Sequence, residues 1–68
     1  MIDNSKVKFF REQAGLTQLQ LAERVDVRQS MIANIERGFK RPSLELLAHI
    51  ADCLGVKMDD LIRKDGVQ

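Results

Sequence analysis

Few side chains in this sequence could perform covalent chemistry or hold a metal ion. His49 and Cys53 are four residues apart on a predicted helix, a spacing that could supply two metal ligands. The chain has no second histidine or cysteine, so these residues form neither a complete zinc site nor an intrachain disulfide. No nucleophile–base pair and no glycine-rich phosphate loop is recognisable. We therefore expect no enzyme activity, no metal and no cofactor.

Length and composition predict one small domain. A chain of 68 residues has no room for a second core or a large catalytic cleft. Its 44% apolar and 31% charged residues are typical of a soluble globular fold. No apolar run reaches the length of a membrane span, and the polar start of the chain is unlike a secretory signal. We expect a cytoplasmic protein without a membrane partner.

Charge is distributed unevenly along the chain, although the formal net charge is only +1. Residues 24–42 carry a net charge of +3, and residues 43–60 carry a net charge of −3. The overall balance gives no indication of a partner. The local balance indicates a basic segment that a polyanion could contact.

Helical spacing of apolar residues predicts five short helices over residues 1–68 and an all-α fold. The first covers about residues 5–14, the second and third lie within 18–37, and the fourth and fifth lie within 43–64. Thr17 and Gln20 form a predicted capping box, and Ser43 is a predicted cap. The fifth helix is expected from Met58 to about Lys64.

Residues 18–37 contain two helices joined by a turn around Asp26 that is too tight for an ordinary antiparallel hairpin. The apolar residues at the fourth, eighth, tenth, fifteenth and eighteenth positions of this segment are Leu21, Val25, Val27, Ile32 and Ile35. The fifth position is Ala22, which suits a steep helix crossing. The pattern is typical of a helix-turn-helix, whose second helix can enter the major groove of DNA.

The sequence resembles the Cro/cI-type (XRE) family of bacterial and phage DNA-binding domains over residues 6–62. The matching fragments are Gly15-Leu16-Thr17-Gln18, Leu21-Ala22, Val27, Ile32, Ile35-Glu36-Arg37-Gly38, Pro42-Ser43-Leu44 and Ile50-Ala51-x-x-Leu54-Gly55-Val56. The resemblance implies a compact five-helix, lambda-repressor-like domain. It also implies binding to double-stranded operator DNA, usually as a homodimer on a two-fold symmetric site.

The resemblance further implies roles for two groups of polar residues. The base-reading residues would be Arg28, Gln29, Ser30 and Asn34 of the third helix. The phosphate-binding residues would be Thr17, Gln18, Arg37, Lys40 and Arg41. Glutamine can pair bidentately with adenine, and arginine with guanine. The alternative is that this polar helix face is simply solvated.

Two residues depart from the family pattern around the turn. Asp26 stands where glycine is usual, at a cost of roughly 1 kcal/mol if its backbone is left-handed. Arg28 stands where a Ser or Thr cap is usual, which forgoes about 1 kcal/mol and puts a cation at the positive end of the helix dipole. We hypothesise that Arg28 is kept because it contacts DNA.

Arg11 and Glu36 allow two interpretations. They could be a phosphate ligand and a base reader, or they could form a structural ion pair. The resemblance favours the pair, because in this family an arginine of the first helix pairs with the glutamate that closes the third. Loss of either residue should then unfold the domain.

Surplus apolar residues indicate a partner surface or additional core. Met58, Ile62 and Val67 are predicted dimer contacts, because dimerisation in the family commonly uses the fifth helix and tail. Phe9 and Leu46 could be core or partner-facing. The leading functional prediction is a repressor that binds an inverted-repeat operator, with any regulation coming from a separate partner. The alternative is a helical protein-interaction module, or an antitoxin component, in which protein binding dominates.

Overall fold

The computed structural model describes residues 4–62, and every secondary-structure element in that range is helical. Four α-helices are followed by one short 3-10 helix. Their bounds are α1 Asn4–Gln13, α2 Gln18–Arg24, α3 Gln29–Arg37, α4 Leu44–Leu54 and the 3-10 helix Met58–Leu61. The all-α prediction and the helix-turn-helix arrangement of α2 and α3 are confirmed.

Side-chain caps start α2 and α4 where the sequence predicts them. The Thr17 hydroxyl accepts the Gln20 N–H at 3.0 Å, and the Gln20 side-chain oxygen accepts the Thr17 N–H at 2.9 Å. The Ser43 hydroxyl accepts the Leu46 N–H at 3.1 Å. Each cap provides a partner for a backbone N–H that has none within the helix.

All four α-helices end in the same hydrogen-bonded turn. An N–H just beyond each helix bonds to a carbonyl five residues earlier, as in a Schellman motif. The pairs are Leu16 to Arg11, Val27 to Ala22, Phe39 to Asn34 and Val56 to Ala51, with N–O distances between 2.8 and 3.1 Å. Three of these turns use a left-handed glycine, whereas α2 uses Asp26 at a φ of 61°. The helix-turn-helix therefore closes on a strained, non-glycine turn.

We expect Asp26→Gly to raise the free energy of unfolding by about 0.5 kcal/mol, because glycine adopts this φ without steric cost but gains more freedom when unfolded. Urea unfolding followed by circular dichroism measures the change. Asp26→Ala is the control and should lose about 1 kcal/mol, since alanine has neither the freedom of glycine nor the local hydrogen bonding of aspartate. A loss of stability in the glycine variant would contradict the strain assigned to this turn.

One hydrophobic core joins the helices. Its completely enclosed large side chains come from α1, α2, α3, α4 and the 3-10 helix, and they are Val7, Leu21, Ile32, Ile35, Ile50 and Leu61. Ala22 is also fully buried, in keeping with the close approach of α2 and α3. Within residues 4–62, none of the helices has the length and apolar character needed to cross a bilayer.

The predicted fifth helix is present from Met58, but it is a 3-10 helix and ends earlier than predicted. The element is a 3-10 helix that ends at Leu61, and the backbone of Ile62 is extended. Met58 and Leu61 are three residues apart, so a helix of three residues per turn directs both towards the core, where Leu61 is fully buried. Its start is held by Asp60, whose carboxylate accepts the Lys57 N–H at 3.0 Å. The predicted extension to Lys64 lies outside the described residues.

Leu46 and Phe9 occupy different environments. Leu46 is half-buried and packs against the core, so it belongs to the interior. Phe9 is 53% exposed and contacts Phe10 edge-on, with 5.1 Å between ring centroids. Of the two, only Phe9 leaves a large apolar surface open.

Candidate nucleic-acid interface

Helix α3 has one buried side and one polar side. Ile32 and Ile35 are fully buried and hold the helix against the core. At its start, Arg28, Gln29 and Ser30 are exposed. Arg28 is the N-cap residue of α3 and makes no capping hydrogen bond, because a guanidinium has donors only. The core packing thus fixes α3 with its polar residues towards solvent.

Four predicted DNA contacts meet at one surface pocket. Arg28, Ser30 and Asn34 from α3 line it together with Lys40 from the following loop. The remaining lining residues are Val27 and Met31. Gln29 does not line the pocket, but it is exposed at the first position of α3. Base-edge and phosphate chemistry is therefore available from one continuous surface.

The backbone carbonyl of Asn34 fixes the loop that carries the basic residues. It accepts the N–H groups of Phe39 at 2.8 Å and Lys40 at 3.2 Å, and it also receives the N–H of Gly38. Gly38 has the left-handed backbone that this turn requires. The loop therefore leaves α3 in a defined direction and returns Lys40 to the side of Asn34.

Arg37 and Phe39 form a contact that the sequence analysis did not predict. The Arg37 guanidinium carbon lies 5.6 Å from the centroid of the Phe39 ring, within range of a cation–π interaction. Phe39 is 72% exposed, and Arg41 is exposed beyond it. The ring favours one position of the Arg37 cation at the protein surface.

Thr17 and Gln18 lie at the start of α2 with part of their hydrogen-bonding capacity already used. The Thr17 hydroxyl oxygen accepts the capping bond, which leaves its O–H free to donate. Gln18 donates from its side-chain amide to a Glu36 carboxylate oxygen at 3.1 Å. An amide nitrogen carries two hydrogens, so one remains for a phosphate.

Arg11 and Glu36 are in direct contact. Arg11 Nε lies 2.6 Å from Glu36 Oε2, and Arg11 Nη2 lies 3.1 Å from Oε1. The guanidinium also donates from Nη1 to the Leu16 carbonyl at 2.8 Å. The two side chains are 9% and 4% exposed. Hydrogen bonding to Glu36 raises the pKa of Arg11 above its ordinary value, against an opposing effect of burial. Both charges are thus engaged inside the protein.

The structure separates the two candidate metal ligands from any larger ligand set. His49 is exposed and Cys53 is half-buried on α4. Within the described part of the chain, no cluster of three or more His, Cys, Asp or Glu side chains could hold a metal ion.

The predicted dimer contacts are only partly available. Met58 and Ile62 are half-buried and pack against the core, so each has a fraction of its surface open. Val67 lies outside the described residues. The dimer surface therefore remains a prediction.

The sequence analysis did not assign Val27, Met31 or Phe39 to the candidate DNA-binding surface around α3. Met31 and Asn34 are three residues apart on α3, and Val27 stands four residues before Met31, just ahead of the helix, so their spacing was an available signal. The Gln18–Glu36 bond joins residues on two different helices and had no local signal.

The comparison with known families decides the classification. A profile described as helix-turn-helix matches residues 7–61, most of the chain. The chain belongs to the Cro/cI-type (XRE) helix-turn-helix family. One relative in that family is the immunity repressor protein of Bacillus phage phi105, which is 34% identical over 65 residues. That match covers 96% of this chain but only 45% of the phage repressor, so this XRE chain spans less than half of its relative's length.

The fold is shared with solved structures of a DNA-bound regulator and of an enzyme. The master regulator for biofilm formation SinR, solved in complex with DNA, superposes with a TM-score of 0.80 at 27% identity. The match covers 85% of this XRE chain and 97% of the SinR chain in that structure. Hydroxypropylphosphonic acid epoxidase from S. wedmorenis superposes with a TM-score of 0.82 at 26% identity. That match covers 88% of this chain but only 32% of the enzyme, so it concerns one part of a larger protein.

Proposed function

We propose that this XRE chain is a sequence-specific DNA-binding transcriptional repressor that occupies an operator with α3 in the major groove. The observation that carries the proposal is the shared surface of Arg28, Ser30, Asn34 and Lys40. Arginine, serine and asparagine side chains read base edges, and a neighbouring lysine suits the phosphate backbone. The likeness to a phage repressor and to a DNA-bound regulator supports the same function.

We further propose that the chain binds as a homodimer to an inverted repeat. One copy of α3 reads one half-site, and a two-fold dimer places the second copy about 34 Å away, one turn along the duplex. The exposed parts of Met58 and Ile62 are the proposed contacts between protomers. Selection of preferred sequences from random DNA would report the half-site, its spacing and its symmetry together.

A salt titration tests the DNA-binding function on random duplex. If Arg37, Lys40 and Arg41 each neutralise one phosphate in both protomers, the slope of log K against log salt should be about −5. Lys40→Gln combined with Arg41→Gln should make the slope shallower by 3 to 4 units, at about 0.9 per lost contact. Lys8→Gln, an exposed cation of α1, is the matched control and should leave the slope unchanged. Absence of binding at low salt would remove the proposed function and favour a protein-interaction module.

Arg28→Ser should separate stability from binding. Serine at the start of α3 supplies the missing cap, so the free energy of unfolding should rise by about 1 kcal/mol. Affinity for the selected operator should fall, because the guanidinium is lost from the reading surface. Arg28→Ala is the control and should lose affinity without the gain in stability. If Arg28→Ser binds the operator with unchanged affinity and base preference, Arg28 is not a base contact.

A further inference from the structure

The pocket on the polar side of α3 has an apolar interior as well as a polar rim. It is an open depression of about 170 Å³. Val27 and Met31 are both half-buried, and their inner sides pack against the core. The rim residues are Arg28, Ser30, Asn34 and Lys40.

The two apolar residues are held in place by the backbone. The Val27 N–H bonds to the Ala22 carbonyl at 2.9 Å, within the turn that closes α2. The Met31 N–H bonds to the Arg28 carbonyl at 3.0 Å, in the first turn of α3. Their positions therefore depend on the helix-turn-helix itself and not on a mobile segment.

The rim restricts the class of ligand. It carries two cations, one amide and one hydroxyl, and no acidic residue is among the six that line the pocket. An apolar group delivered by a polyanion fits this combination better than an apolar side chain of a neutral partner. In the major groove the apolar group on a base edge is the C5-methyl of thymine, and its neighbour O4 is an acceptor for a rim donor.

We propose that the pocket formed by Val27, Met31 and their polar rim binds the C5-methyl group of one thymine in the operator half-site. This inference rests on the proposed function, because it requires α3 to lie in the major groove. It makes Val27 and Met31 specificity-determining residues in addition to the polar base readers. Burial of one methyl group strengthens binding about four-fold, or about fifteen-fold when both half-sites of a dimer contribute.

The test begins with the operator obtained by selection from random DNA. Each thymine of the half-site is replaced in turn by deoxyuridine, symmetrically in both halves, and the dissociation constant is measured at fixed salt. The expected result is one position at which the loss of the methyl weakens binding about fifteen-fold. At that position, an operator with 5-methylcytosine should bind more tightly than one with cytosine by a similar factor, since the two bases differ only in the same methyl group.

Variants of the pocket assign the methyl contact to its residues. Val27→Thr and Met31→Gln keep side-chain size while adding polar atoms. Each should reduce the ratio of the affinity for the thymine operator to that for the deoxyuridine operator from about fifteen towards one. Phe9→Gln changes an exposed apolar residue of α1 and should leave the ratio as in the original protein. Circular dichroism of each variant at the binding temperature shows that it is folded.

The outcomes distinguish this inference from the proposed function. The proposed methyl contact is wrong if the operator is bound equally well with thymine and with deoxyuridine, or if the selected half-site contains no thymine. Either result leaves the proposed repressor function standing. An effect that persists unchanged in folded Val27→Thr and Met31→Gln proteins would overturn its assignment to these residues. Failure to bind any duplex at low salt would instead overturn the proposed function.

Discussion

Arg11→Met should lower the free energy of unfolding by about 3 to 5 kcal/mol, enough to leave most of the protein unfolded at 25 °C. The substitution leaves the Glu36 carboxylate, only 4% exposed, with Gln18 as its remaining side-chain partner. The Leu16 carbonyl loses its bond to Nη1 as well. An uncompensated buried charge is the cause of the large effect, and urea unfolding followed by circular dichroism measures it.

A double-mutant cycle checks the origin of that loss. Glu36→Gln alone should also be strongly destabilising, because it leaves the Arg11 cation unpaired. The combined variant should lose clearly less free energy of unfolding than the sum of the losses in the two single variants, since neither unpaired charge is present in it. Glu23→Gln, an exposed carboxylate of α2, is the matched control and should stay within about 0.5 kcal/mol of the original stability. Additive losses would show that the pair does not act as a unit.

Gln29→Ala should weaken binding to the selected operator by about 10- to 100-fold per half-site, with broader base preference at the position that it reads. Gln29 is the first residue of α3, and it is exposed, so its amide is free to pair with adenine. Stability should change little, because the side chain makes no core contact. Competition assays against single-base variants of the operator measure both effects.

Gln13→Ala is the matched control for Gln29→Ala. Gln13 is an exposed glutamine at the last position of α1, outside the helix-turn-helix. Its loss should leave affinity and base preference unchanged. If Gln29→Ala binds all operator variants as the original protein does, the orientation of α3 proposed for the complex is wrong.

Local signals made the fold predictable from the sequence up to the end of α4. The predicted cap Ser43 begins that helix, and the left-handed Gly55 ends it. The start of the last helix was predicted, but its 3-10 form and its end at Leu61 were not, because they depend on bringing Leu61 into a core built by other helices. The spacing pattern of residues 18–37 indicated the candidate DNA-binding surface, but the Gln18–Glu36 bond depends on how α2 and α3 cross. Packing between elements is the information that a single sequence did not provide.

The Asn34 carbonyl has a consequence for the thermodynamics of complex formation. Because this carbonyl already holds the backbone of Phe39 and Lys40, the loop is ordered before the proposed complex with DNA forms. Ordering costs of this kind are subtracted from the gross energy of any complex. We expect this loop to lose little conformational entropy on binding, so that affinity depends on contacts made and not on folding of the segment that makes them.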